Sequence, residues 1–306
     1  MELYHLRTFL TVADLQSVTK AAAYLATTPP SVSAHIKTLE VELNLSLFVR
    51  TPRGMSLTPE GQLLRSHAER VVQEVDRLLH AVASLQGQLL GELKLGVNAT
   101  ASCLKLPQTI TEIQRRHPAI QLTLLTSSTG NILKQLRDRT ADAGFVFGEV
   151  QDSDIGSQYL TDVSLVVVAP LAANAQLQSG TWTAVASLPW IASTIDCPFE
   201  AIGSAIFTSM GHTPPKVVVA DDGATKIDLI RAGVGAALME QSEGEEAAAS
   251  GGVALWNPDG IRCPLSFAWL KQREKEPLLD AMRTAVEQIW QTSEPKTLGN
   301  RIGNST

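Results

Sequence analysis

Apolar residues recur at helical spacing through the first 43 positions, and the period then changes. Leu3, Leu6, Phe9, Leu10 and Ala13 form the first stripe, which predicts a helix. Ser17 stands where an N-cap belongs, ahead of Ala21, Ala22 and Leu25. Thr28 is a second N-cap candidate, followed by Pro29 and Pro30, which the first turn tolerates because its amide protons have no intrahelical partner. Val32, Ile36, Leu39 and Leu43, at spacings of four, three and four, predict the buried face of a third helix. Over 47–58 the apolar positions alternate around Pro52 and Gly54, a hairpin pattern with Arg50 and Arg53 at its tip.

A long helix is predicted over 59–89. Leu64, Ala68, Val71, Val75, Leu78, Val82, Leu85 and Leu89 repeat at alternating spacings of four and three, a sustained heptad. At ~1.5 Å per residue it is roughly 45 Å long. A helix this long, apolar along one stripe, needs a partner surface. A second copy of the chain is preferred over its own domain, and the heptad leaves parallel or antiparallel pairing open.

Beyond Gly91 short apolar runs alternate with helical stretches. Strands are predicted over 93–97, 120–125 and 143–147, and helices over 104–116 and 132–139. Such a βαβαβ order implies a parallel sheet with helices on both faces. Another strand is predicted over 165–168, and a weaker α/β set fills 162–267, with strands at 190–192 and 217–219 and a helix at 224–232. A strand at 265–270 returns to the first set, and an amphipathic helix over 276–291 precedes a polar tail. The fold class is therefore multi-domain α+β.

With 306 residues, 44% hydrophobic and 18% charged, the chain suits two or three domains with sizeable cores. The net charge of −6 does not mark a nucleic-acid binder, so that argument rests on local pattern. Residues 20–53 are locally basic, with Lys20, Lys37, Arg50 and Arg53 against Glu40 and Glu42. Cys103, Cys197 and Cys263 lack CxxC spacing, which argues against a disulfide scaffold or a zinc site. Neither a secretory leader nor a membrane span is expected, so the cytoplasm is the expected compartment. No cofactor or metal is expected.

On the third helix, Ser31, Ala34, His35 and Thr38 face away from the apolar stripe, flanked by Ser33 and Lys37. Short hydroxyls near a helix N-terminus allow close approach to a phosphate, and His35 and Lys37 offer donors to phosphates or base edges. Arg50 and Arg53, beside a tight turn, can reach phosphates or a minor groove. In the α/β part, ligands bind at strand C-terminal ends beside helix N-termini. The first strand is followed by Asn98, Ala99, Thr100, Ala101 and Ser102, the second by Thr126, Ser127, Ser128 and Thr129, and the third by Phe147, Gly148 and Glu149. No arginine falls in these loops, which favours a neutral, aromatic or zwitterionic ligand over a dicarboxylate.

The stretches LRTFLTVAD, SVTKAAAYLATTPPSVSAHIKTLEVELNLSLFVR and RGMSLTPEGQ resemble the N-terminal domain of LysR-type transcriptional regulators. HPAIQLTL, TADAGFVFG and DLIRAGVGAALME resemble the same family's effector domain. The resemblance implies a winged helix-turn-helix over 1–58, a linker helix over 59–90, and an effector domain over 91–295 of periplasmic-binding-protein-like form. The subdomains would be 91–161 with 268–295, and 162–267, leaving a flexible tail at 296–306. It also implies that the loops carrying Thr100, Ala101, Ser102, Ser127, Ser128, Thr129, Phe147 and Gly148 face a cleft. The segment with Thr194, Asp196 and Phe199 closes it from the other side. Implied partners are double-stranded operator DNA with interrupted dyad symmetry, a small-molecule effector, and a second chain through the linker helix; pairs of dimers often form in the family, and the resemblance leaves dimer or tetramer open. Pro29 stands where the family usually has Gln, and Ala34 where it usually has Arg. Those departures shift DNA reading towards Ser33, His35, Lys37 and Arg53.

Two other classes compete. A solute-binding protein shares the C-terminal architecture but not the N-terminal helices. An enzyme would need a paired carboxylate, a triad or a phosphate loop. Gly233 and Gly235 follow a helix and read as a turn rather than a dinucleotide loop. Cys103 alone reads as a small buried side chain.

Overall fold

The computed structural model describes residues 1–51, 54–85, 89–258 and 260–291. The expectations for Pro52, Arg53 and the tail at 292–306 lie outside the described residues. The chain divides into two compact units, Met1–Gln88 and Leu89–Thr306.

In the first unit, α1 (Leu3–Leu15), α2 (Val18–Tyr24) and α3 (Pro29–Leu43) enclose a core that includes Leu6, Phe9, Val12, Ala21, Val32, Ile36 and Leu39. Both expected N-caps are present: Ser17 accepts from the Lys20 amide at 3.3 Å and Thr28 from the Ser31 amide at 3.3 Å. Such caps satisfy amides the helix itself cannot. The hairpin pairs β1 (Phe48–Thr51) with β2 (Gly54–Leu57). Gly54 has φ +129°, and a Cβ there would lie 2.3 Å from the Gln16 carbonyl oxygen. That same oxygen accepts from the Met55 amide at 2.9 Å, which fastens the hairpin to the turn after α1. Only glycine fits this approach.

The linker helix α4 (Pro59–Leu85) is 27 residues long. Its heptad does not serve one surface throughout. Ala68 is only 2% exposed, within the unit's own core, with Leu64 and Val72 packed beside it. Ion pairs Arg65–Asp14 at 2.6 Å and Arg7–Asp76 at 2.7 Å hold α4 against α1. Val71, Leu78, Leu79 and Val82 remain exposed and Val75 half-buried. The first turns of the seam therefore cover their own domain, and the apolar stripe open to a partner begins near Val71. Leu89 lies beyond the helix and packs on the core of the second unit, so it leaves the seam.

The second unit opens with β3 (Gly91–Val97), α5 (Leu106–Arg116), β4 (Ile120–Thr126), α6 (Thr129–Arg137) and β5 (Ala143–Phe147). β3 runs parallel to both β4 and β5, as the βαβαβ pattern requires. Helix α5 starts two positions later than expected. Lys105, at φ +49°, breaks the turn over 101–105 from the helix proper.

Strand β6 (Ile155–Pro170) is 16 residues long, far beyond the expected 165–168. Ser157, Gln158, Thr161 and Asp162 interrupt its apolar pattern, which hid the first half. Beyond it come α7 (Asn174–Gln178), α8 (Trp182–Val185), β7 (Trp190–Ala192), α9 (Pro198–Ser209), β8 (Lys216–Val219) and α10 (Gly223–Arg231). They are followed by β9 (Ala237–Glu240), α11 (Gln241–Ala249), β10 (Val253–Trp256), β11 (Arg262–Leu270) and α12 (Pro277–Gln291).

The first half of β6 pairs antiparallel with β11, which pairs with β5 on its other side. The second half pairs with β9 and β10. One strand thus belongs to two sheets, with the change near Ser164–Leu165. Because β11 pairs in the first sheet along its whole length, the return crosses back at Arg262 rather than at 267/268.

Candidate functional site

On α3, Val32, Ile36 and Leu39 are buried while Ser33, Ala34, Lys37 and Thr38 are exposed. Lys37, and Arg50 on β1, are exposed and make no ion pair among the described residues. Ser31 is half-buried, its hydroxyl 2.9 Å from that of Thr28. His35 departs from expectation. Its Nδ1 lies 3.1 Å from the Thr8 hydroxyl, and its ring meets Tyr4 edge-on at 4.9 Å and His5 at 5.5 Å. Position 35 is three residues from Val32 and four from Leu39, so it sits on the flank of the buried stripe and packs on α1. The outward donors are therefore Ser33, Lys37 and Thr38.

The second unit contains a cavity of about 770 Å³. Its lining comes from the ends of β3, β4 and β5 (Asn98 to Thr100, Thr126 to Thr129, Phe147) and from the other sheet's side (Cys197, Phe199, 221–224, Lys226, Glu243). Phe147 and Phe199 meet across it with ring centroids 4.8 Å apart. The Thr129 hydroxyl accepts from the Phe147 amide at 3.2 Å and from Asn98 Nδ2 at 3.0 Å, tying all three strand ends together. Ser128 caps α6 through the Asn131 amide, and Ser127 keeps a hydroxyl with no hydrogen bond among the described residues.

Five expected residues fall outside the lining. Ala101 and Ser102 are exposed on the extra turn that Lys105 creates. Thr194 gives its amide and hydroxyl to Asp221, at 2.8 and 2.7 Å. Gly148 sits against Pro198, where a Cβ would lie 3.0 Å away. Asp196 approaches the first turn of α6 so closely that a Cβ on Gly130 would meet its own Cβ at 2.6 Å. It closes one edge of the cleft without lining the cavity.

Asp221, Asp222, Lys226 and Glu243 escaped the sequence reading. Lys226 had a signal: it lies four residues before Ile230, on that residue's helix face, and both are buried. Asp222 caps α10 by accepting from the Thr225 hydroxyl at 2.7 Å and amide at 2.8 Å, which holds its carboxyl below the usual range. Burial, with Glu240 nearby, lifts the Glu243 carboxyl to about 6. Burial and the same two glutamates push the Cys103 thiol up to about 12, so it is a poor nucleophile.

The Glu243 shift has a stability consequence. Its native carboxyl keeps a proton at pH values where the unfolded chain has released it, so stability falls as pH rises from 4.5 through about 6. At ~1.36 kcal/mol per unit, the penalty above that range is about 2 kcal/mol. Glu243→Gln should raise unfolding stability by up to that amount at neutral pH, and the gain should vanish by about pH 4.5 in denaturant titrations. An equal gain at both pH values would assign the effect to packing.

Comparison with known proteins decides the family. The model described as "LysR substrate binding domain" matches residues 86–291, and "Bacterial regulatory helix-turn-helix protein, lysR family" matches residues 3–62. The chain belongs to the LysR family of transcriptional regulators. Such regulators bind DNA through the helix-turn-helix, respond to an effector held by the second domain and form oligomers. This LysR-type regulator is 28% identical over 242 residues to the HTH-type transcriptional regulator YofA of Bacillus subtilis, covering 79% of this chain and 82% of YofA. Its fold matches that of full-length CbnR complexed with its target DNA, with a TM-score of 0.69 at 18% identity, over 94% of this chain and 99% of CbnR. The effector-binding domain of QuiR in complex with shikimate matches 67% of this chain and all of that domain, with a TM-score of 0.58 at 18% identity.

Proposed function

We propose that this LysR-type regulator reads its operator with the exposed face of α3, Ser33, Ala34, Lys37 and Thr38, with Ser31 at the helix N-terminus. Arg50 and Arg53 of the hairpin take flanking phosphates. Lys37 and Arg50 supply counterion release, and the short side chains around them let the helix approach base edges closely. Two chains pair through the exposed stripe of α4, from Val71 to Val82, which matches a dyad-symmetric operator. Residues 1–58 serve DNA, 59–90 pairing, and 91–295 sensing.

The effector occupies the cavity between the two sheets, and its binding shifts operator affinity by coupling two equilibria, with no bond chemistry. The observation that carries this reading is the 770 Å³ cavity at the C-terminal ends of β3, β4 and β5, where α/β folds hold ligands. Ser127, Ser128, Thr129, Phe147 and Phe199 face the ligand, and Asp196 closes one edge. The protein works in the cytoplasm, beside its operator; no described helix is long and apolar enough to cross a membrane.

A filled cavity tests the reading. Ser127→Trp places an indole where the half-buried hydroxyl faces open space. A metabolite library screened by thermal shift on the full chain should yield a ligand that raises apparent stability. Ser127→Trp should abolish that shift and leave ligand-free operator binding unchanged. A ligand whose shift survives the substitution binds elsewhere and refutes the reading.

A further inference from the structure

Lys226 is 5% exposed and lines the cavity. Its ammonium donates to the Ser193 hydroxyl at 2.5 Å, and among the described residues it makes no ion pair. Ser193 is held in place by its own amide, which donates to Glu200 at 3.0 Å, and Glu200 is clamped by Lys216 at 2.6 Å. The Asp222 and Glu243 carboxylates attract this ammonium without hydrogen-bonding it, so it keeps donors to spare. An anionic group entering the cavity supplies the missing acceptor.

The neighbouring polar groups have the opposite need. Glu243 also lines the cavity, and no hydrogen bond reaches its carboxyl oxygens among the described residues. Asn98, whose amide nitrogen is held by Thr129, keeps a buried Oδ1 with no partner. Both call for donors. Asp222 is spent on capping α10, and Glu240, itself buried, is spent on the amides of Ser242 and Glu243 at the start of α11. Glu246 also lines the cavity but is exposed, so Glu243 is the half-buried acid left open. A second carboxylate on the ligand would face Asp221, Asp222 and Glu246 as well, and Arg231, the other cation on the lining, is already paired with Asp228 at 3.7 Å and donates to the Gly251 carbonyl at 3.4 Å. A cation with no carboxylate would leave Lys226 without an anionic hydrogen-bond acceptor and would compete with it for Glu243.

We propose that the effector is a small amino-acid-like zwitterion, with its carboxylate on Lys226, which Ser193 positions, and its ammonium on Glu243. This rests on the cavity's being the effector site. Phe147, Phe199 and Ile227 supply an apolar wall for a side chain between the two ends.

The test is calorimetric titration of the full chain with the proteinogenic amino acids, their decarboxylated amines, their deaminated 2-oxo acids, and the dicarboxylates succinate and adipate. An amino acid should bind while its amine and 2-oxo acid do not. Lys226→Met and Glu243→Gln should each weaken it roughly tenfold or more, as expected for loss of a charge-assisted hydrogen bond. Glu243→Gln should melt no lower than wild type without ligand, and both variants should keep the wild-type circular dichroism spectrum at the titration temperature; that control separates lost binding from misfolding. If only amines, 2-oxo acids or dicarboxylates bind, and Ser127→Trp abolishes their binding, the cavity reading stands and the zwitterion is overturned. An amino acid that binds equally to all three variants sits elsewhere, and both fall. Absence of binding by every amino acid overturns the zwitterion alone, since the cavity is tested separately by the metabolite library.

Discussion

Leu78→Asp in the linker helix is expected to separate the dimer into folded monomers. Leu78 is 63% exposed on the single chain, so the substitution removes nothing from that chain's own core. In the proposed pair the same side chain would lie in an apolar seam with Val71, Val75 and Val82. Burying a leucine contributes roughly 1.5–3 kcal/mol, and two are lost per dimer. Two carboxylates would also have to leave water. Dimerisation should weaken by about three orders of magnitude or more. Sedimentation velocity at micromolar concentration checks it, with circular dichroism to establish that the helices remain. A variant that stays dimeric moves the seam off this face of α4. Ala68→Asp should behave differently, because Ala68 belongs to the DNA-binding core, and unfolding of the first unit should accompany any loss of pairing.

Lys37→Glu should nearly abolish specific operator binding. Lys37 is exposed in the middle of α3, one turn after the short side chains at Ser33 and Ala34. Replacing a phosphate- or base-directed cation by an anion loses a charge-assisted hydrogen bond and adds repulsion in each half-site. The expected loss is roughly a hundredfold or more. The slope of log affinity against log salt should become shallower by about two, one released counterion per chain. Fluorescence anisotropy across a salt series measures both. A large affinity loss with an unchanged slope would point to a lost base contact rather than a phosphate contact. No loss at all would take Lys37 off the DNA. His35→Ala offers a contrast: because His35 packs on Tyr4 and Thr8, its loss should lower stability before it lowers affinity.

Helix period and turn chemistry carried most of the fold. The caps Ser17 and Thr28, the buried stripe of α3 and the βαβαβ order all rest on local rules, and the structure follows them. Legibility ended where tertiary pairing overrides local pattern. The first half of β6 is a strand because β11 lies beside it, although its polar residues break the apolar run. The heptad of α4 reads as one seam because Leu64 and Ala68 keep the period while facing a different partner.

The cleft was legible as loops and illegible as side chains. Ser102 and Thr194 have suitable chemistry, but a left-handed Lys105 turns one outward and Asp221 occupies the other. Lys226 and Glu243 lie 17 positions apart in the chain and meet only through the packing of α10 beside β9 and α11. A lysine on the buried face of a short helix was the one trace the sequence left of that site.

The central claim is that α3 of a paired chain reads a specific DNA sequence. Sequencing the duplexes that the full-length protein retains from a random pool tests it most directly. Specific LysR-type binding should exceed non-specific binding by roughly a thousandfold or more. The retained pool should then converge on an interrupted inverted repeat whose half-sites are separated by whole helical turns. A retained pool with the same composition as the starting one would contradict the account.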